Sequence, residues 1–184
     1  MTTATALGPA VDIGAPVIER ARRGDQEAFA AVLRHYDPGL RALAYRLLGD
    51  RDLMDDALQE AYVKAFRALP CFRGESRLGT WLYRIAYNAC LDELRRSRGT
   101  EELPLEAEVP SRAGDPADVA ARSRDLAGAL AALPSEERTA VLLVDAQGFD
   151  YRESARILGI PEGTVASRLN RARASLRIAL GSAA

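Results

Sequence analysis

Apolar positions recur at three- and four-residue intervals along most of this chain, and nowhere do they alternate with period two. That pattern predicts helices and no sheet. Ile18, Ala21, Ala28, Phe29, Val32 and Leu33 predict helix from Val17 to about Tyr36, with a break near Gly24-Asp25. Asp37 and Pro38 suit the cap and first turn of a second helix that runs through Leu48. The stripe Met54, Leu58, Ala61, Tyr62, Ala65, Phe66 and Leu69 predicts a third, from about Asp52 to Leu69. Residues 70–79 read as a loop, and Thr80 as the cap of a fourth helix reaching Ser97. Helical pattern resumes near Val119 and runs to Leu133. It restarts at Pro134-Ser135, with Val141, Leu142 and Val144 inward, and ends at Gly148.

Residues 151–177 carry the sharpest pattern. A short helix, about Tyr151 to Leu158, turns Ala155 and Leu158 inward. Gly159 gives the freedom that a tight turn needs, Ile160 fills the corner and Pro161 suits the start of a new helix. Val165, Leu169, Ala172 and Leu176 then form one buried stripe, with Thr164, Ser167, Arg168 and Arg171 opposite. From Gly163 to Leu180 there are four arginines and no acid. A helix buried on one side and lined with hydroxyls and guanidiniums on the other fits the major groove of DNA.

Composition changes the picture in one respect. The net charge of −1 argues against a nucleic-acid binder until its placement is seen. Residues 17–98 carry 15 basic and 12 acidic side chains, residues 99–120 one and six, and residues 121–184 nine and seven. Two basic blocks are thus separated by an acidic one that holds Gly99, Pro104, Pro110, Gly114 and Pro116, the composition of a linker. The organisation expected is all-α: a disordered tail (1–16), two small helical domains (17–98 and 121–184) and a flexible acidic linker (99–120) joining them. Cys71 and Cys90 are too few for a disulfide framework, and His35 has no partners for a metal site. No apolar run is long enough to span a membrane, and no secretion signal is evident, so a cytoplasmic protein without membrane insertion is expected.

Catalysis finds no support. Asp55 and Asp56 are adjacent on a helix and diverge by about 100°, so they make no acid–base pair. No phosphate loop and no nucleophile with its base can be assembled, and no cofactor or metal is expected. The outward side of the third helix instead carries Asp52, Asp55, Asp56, Gln59, Glu60 and Lys64, a docking face for a basic partner surface. The fourth packs Trp81, Leu82, Ile85, Ala86 and Ala89, while Arg84, Asn88, Asp92 and Arg95 recur along another face flanked by Tyr83 and Tyr87. Aromatics stack on unpaired bases, and asparagine and arginine pair with base edges. The loop before it, with Arg73, Glu75, Ser76 and Arg77, has the polarity to cup one extruded base.

Four stretches now point the same way: DDALQEAYVKAFRAL (55–69), SRLGTWLYRIAYNACLDELRR (76–96), ALPSEERTAVLLVDAQGFDYRESARILGIPEGTVASRLNRARASLR (132–177) and the linker between them. The chain resembles the extracytoplasmic-function (ECF) subgroup of bacterial sigma factors, promoter-specificity subunits of RNA polymerase reduced to their second and fourth conserved regions. The resemblance implies binding to core polymerase, recognition of the −10 and −35 promoter elements, and DNA melting. Asp55, Asp56, Leu58, Gln59 and Glu60 would grip the β′ clamp coiled coil. Arg73, Ser76, Arg77, Trp81, Arg84, Tyr87, Asn88, Asp92 and Arg95 would handle the −10 element. Ala166, Ser167, Asn170 and Arg171 would meet −35 base edges, and Thr164, Arg168 and Arg173 its phosphates. The helix around Val141–Val144 would meet the β flap, and an anti-sigma factor is an expected partner. Ala166 departs from the longer side chain common there. The competing expectations are a stand-alone helix-turn-helix regulator and a protein-only adaptor. The linker's 22 residues, at roughly 3.3 Å each, reach about 70 Å, which matches promoter elements some 20 base pairs apart at ~3.4 Å per pair.

Overall fold

The computed structural model describes residues 13–98 and 125–181, and every regular element among them is helical. The acidic linker and most of the N-terminal tail fall outside the described residues. Ala15 and Pro16, assigned above to the tail, already belong to α1 (Ala15–Arg22), with Pro16 in its first turn.

Helix α2 (Gln26–Leu48) is one helix of 23 residues, capped by Asp25 and closed by Gly49 in the left-handed region. The boundary expected at Asp37-Pro38 is not there. Pro38 lies inside the helix, although it removes one backbone donor. Val32, Tyr36, Leu40, Leu43 and Leu47 are all buried on one continuous stripe across it, and packing along that stripe overrides the local stop signal. Asp37 caps nothing, and accepts a 2.6 Å bond from the Tyr62 hydroxyl of α3.

Helix α3 (Arg51–Ala68) is capped by Asp50, and a 3-10 turn, Leu69–Cys71, leads to the loop before α4 (Leu78–Arg98). Helix α4 starts two residues before Thr80, so Thr80 is not its cap. Thr80 is buried, and its hydroxyl donates to Glu153 Oε1 at 3.3 Å.

In the second unit, residues 125–132 form α5. Helix α6 (Ser135–Val141) widens into a π-turn over Leu142–Ala146, which the sequence pattern did not indicate. Helices α7 (Tyr151–Leu158) and α8 (Glu162–Gly181) follow. Buried Arg138 donates to the carbonyl oxygens of Leu130, Ala131 and Leu133, satisfying the end of α5.

The two units share a core. Leu142, Leu143, Phe149 and Ile157 are buried in the same cluster as the apolar faces of α2, α3 and α4. At the seam the ring of Tyr83 meets that of Phe149 edge-on, with centroids 4.8 Å apart. Its hydroxyl donates to Gln147 Oε1 at 2.7 Å. Gly39 makes room for this contact: a Cβ there would lie 2.0 Å from the Tyr83 hydroxyl and 2.7 Å from Gln147 Oε1. A smaller cluster, Leu130, Leu133, Ala140, Val141, Leu169 and Ala172, belongs to the second unit alone. No helix among the described residues is long and apolar enough to cross a membrane.

Two outcomes follow from this packing. Gly39→Ala should destabilise the protein by about 1–3 kcal/mol through overpacking, despite its better helix propensity. Thermal unfolding reads this, and adding Tyr83→Phe, which removes the hydroxyl that the new methyl would strike, should recover part of the loss, as expected for touching side chains. Both cysteines are free, Cys71 exposed and Cys90 buried, and burial pushes the Cys90 thiol up to about 12. At neutral pH a thiol reagent should label Cys71 alone in the native protein and both cysteines in denaturant.

Candidate nucleic-acid and protein interfaces

The second unit builds a helix-turn-helix from local chemistry. Asp150 accepts the Glu153 N–H at 2.7 Å, and Glu153 accepts the Asp150 N–H at 3.2 Å, a reciprocal cap on α7. Ser154, Ala155 and Ile157 form the buried side of α7, while Leu158, expected inside, is half-buried. Gly159 ends the helix at φ 68°, and its N–H donates to the Ala155 carbonyl. Pro161 stands just before α8, and its carbonyl accepts the Val165 N–H at 3.2 Å. Val165, Leu169 and Ala172 are fully buried, with Leu176 packed beside them. The stripe read from the sequence is the stripe observed.

Ser167, Asn170, Arg171 and Arg173 are exposed on α8, and Thr164 and Ala166 are half-buried. Arg168 does not lie opposite the stripe, as its spacing had been read, but on the flank. Its side chain is 17% exposed and lies 2.5 Å from Glu136. Arg171 Nε donates to Glu137 Oε1 at 2.9 Å. Arg173 donates through Nε and a terminal nitrogen to both oxygens of Asp145, which raises its pKa.

In the first unit the loop and the start of α4 enclose a cleft of about 500 Å³ lined by Phe72, Arg73, Ser76, Trp81 and Arg84, among others. Trp81 is half-buried, its ring tilted on Phe72 at 5.2 Å. Arg77 is exposed, and its guanidinium lies 3.6 Å from Glu153. One wall comes from the other unit: Arg156 of α7 lines the cleft and donates to the Glu75 carbonyl at 3.3 Å. Asn88 is exposed farther along α4. Asp92 pairs with Arg95 at 3.0 Å. Tyr87 and Arg95 line a second groove, of about 280 Å³, against Ser135, Glu136 and Thr139 of α6. Tyr83, read as flanking the polar face, is in the core instead, 2% exposed. Of the −10 set, the structure therefore gathers Arg73, Ser76, Trp81 and Arg84 at the cleft, and turns Tyr87 and Arg95 toward α6.

On α3, Asp55, Asp56 and Gln59 are exposed and Glu60 is half-buried. Asp55 pairs with Arg41 of α2 at 2.5 Å. Glu60 accepts from Lys64 and from Arg96 of α4, and these bonds hold its carboxyl below the usual range. Leu58, grouped with this face above, is 1% exposed. Its spacing from Met54, Ala61 and Ala65 puts it on the buried stripe, so it supports the face from beneath.

Sequence reasoning missed Gly39, Gln147 and Arg156. It also missed Glu153, although the Asp-x-x-Glu spacing of 150–153 signals a reciprocal cap.

Residues 26–100 match the model of sigma-70 region 2, and residues 123–176 that of sigma-70 region 4. The chain is 40% identical over 164 residues to the ECF RNA polymerase sigma factor SigM of Mycobacterium tuberculosis, covering 86% of this chain and 80% of that one. It is similar to the sigma factor RpoE of Bartonella quintana, solved in complex with the anti-sigma factor NepR. There the TM-score is 0.73 at 30% identity, over 83% of this chain and 96% of that one. CnrH, solved in complex with the cytosolic domain of CnrY, gives a TM-score of 0.69 at 25% identity over 92% and 97%.

The local cap is open to a direct check. Asp150→Ala should cost about 1 kcal/mol, because it strips the start of α7 of its acceptor. Chemical denaturation of the full chain measures it, and Asp150→Ser should restore most of the loss.

Proposed function

The chain belongs to the extracytoplasmic-function group of RNA polymerase sigma factors, and on that footing we propose how its surfaces divide the work of promoter selection and opening. The first unit docks on core polymerase through Asp55, Asp56, Gln59 and Glu60 of α3, whose carboxylates suit a basic clamp surface. The cleft beside Trp81 receives an extruded base of the −10 element. Arg73, Ser76 and Arg84 ring that base, Arg77 meets the phosphates beside it, and Asn88 lines the strand that leaves it. The second unit lays α8 in the major groove of the −35 element. Ser167, Asn170 and Arg171 face base edges there, with Ala166 making only close apolar contact, and Thr164, Arg168 and Arg173 take phosphates. The helix around Val141–Val144 contributes to the surface that meets the β flap.

One observation carries this division: an α8 buried along Val165, Leu169 and Ala172 with polar and cationic side chains on its free sides, in the same chain as an open aromatic cleft. The stand-alone regulator is set aside, because residues 26–100 match sigma-70 region 2, a part it would not need. The chain catalyses no bond change. Opening is driven by captured bases, since stacking costs about 1.4 kcal/mol per step and a pocket with stacking offsets a few such steps. Polymerase and promoters place its action in the cytoplasm. The likeness to RpoE held by NepR supports an anti-sigma partner for this chain.

The test is reconstitution with core polymerase, followed by sequencing of the start sites selected from genomic DNA. Start sites that share two spaced elements, absent with core alone, are expected. Start sites unchanged by the protein would sink the reading. Asn88→Ala should impair open-complex formation, read by permanganate footprinting, while leaving core binding intact. Arg171→Ala should weaken −35 recognition by about 1–3 kcal/mol, with the loss confined to particular −35 sequences.

A further inference from the structure

Three of the four arginines on α8 are engaged by acids of their own unit. Arg168 meets Glu136, Arg171 meets Glu137, and Arg173 is held by both oxygens of Asp145. The acids come from two places. Glu136 and Glu137 sit in the first turn of α6, and Asp145 lies in the π-turn that follows it. The guanidiniums lie on different parts of α8, Arg168 largely covered and Arg171 and Arg173 exposed, so one local accident of sequence does not explain all three. The fourth arginine, Arg177, is exposed and has no ion pair among the described residues.

A guanidinium presents a flat fork of donors that fits a carboxylate and a phosphate in the same way. A carboxylate already on the fork must leave, or share it, when a phosphate arrives. Binding to DNA of arbitrary sequence is almost wholly this cationic contact with phosphates. Contacts to base edges by Ser167 and Asn170 need no such exchange, and Arg171, assigned above to a base edge, is left out of the count. For Arg168 and Arg173 the exchange costs the same on any duplex, but a −35 element also offers base contacts that offset it, and arbitrary duplex offers none.

We propose that Glu136 and Asp145 are specificity-determining residues, which occupy Arg168 and Arg173, the phosphate-facing arginines of α8, and so restrain binding to DNA that lacks a −35 element. This rests on the reading of α8 as the −35 reader. Glu136 has a second effect, since negative charge in the first turn of α6 favours the helix. Asp145 has no such position, so it separates the two effects.

The experiment uses holoenzyme reconstituted from core polymerase and the full chain, with run-off transcription from a mapped promoter and from the same promoter with its −35 element scrambled. Potassium chloride is varied, and wild type is compared with Asp145→Asn alone and with Glu136→Gln/Asp145→Asn. The double variant should start on the scrambled template at least about threefold more often relative to the intact one. Its output there should also fall more steeply with salt, since each freed arginine adds close to one unit to the salt slope. Asp145→Asn should move both quantities the same way by less. Unchanged discrimination and salt slope in both variants would overturn the proposal, as would a loss of activity on both templates alike. Equal starts from both templates by the wild type would instead overturn the −35 reading beneath it.

Discussion

The contact on which the arrangement depends is the seam at Tyr83. Its ring stacks edge-on against Phe149, and its hydroxyl finds its acceptor in Gln147 of the other unit. A buried phenol needs such a partner, because leaving it unpaired costs roughly 1–3 kcal/mol. Gly39 leaves the space, and Leu142, Leu143 and Ile157 complete the apolar joint. Around the rim, Thr80 and Arg77 meet Glu153, and Arg156 reaches the Glu75 carbonyl. The units therefore form one body as described. That body brings the aromatic cleft and the helix-turn-helix together.

Electrostatics follow the same economy. The chain is near neutral overall, yet its charges are not idle. On α3 the acids are partly engaged by Arg41, Lys64 and Arg96, which leaves Asp56 and Gln59 as the freest part of that face. Exposed pairs of this kind add little to stability, about 0–1 kcal/mol each. Their effect lies in setting which charges a partner meets first.

What could be read from the sequence was local. The turn at Gly159 and the stripe of Val165, Leu169 and Ala172 are encoded within a few residues of one another, as is the cap at Asp150, a local signal that went unread. Local signals failed where packing competed with them. Pro38 signals a helix start, but the buried stripe from Val32 to Leu47 carries the helix through it. Tyr83 and Gln147 are 64 residues apart, and nothing near either one announces the other. Arg168 was misplaced for a related reason. Spacing places a residue on a helix, but only the neighbouring helix decides which side is covered.

The π-turn at Leu142–Ala146 has a consequence of its own. Just before it, Ala140 and Val141 serve the core against α8. Leu142 and Leu143, the next residues, serve the core shared with the first unit. A regular helix advances its side chains by about 100° per residue, and a π-turn inserts one residue into that rotation. The segment thus works as a phase shifter between two interiors. What is specified there is a number of residues as much as their identity: trimming one would let the segment close to ordinary helix with the chain on either side in place, while the side chains left inside the turn would each face a new direction.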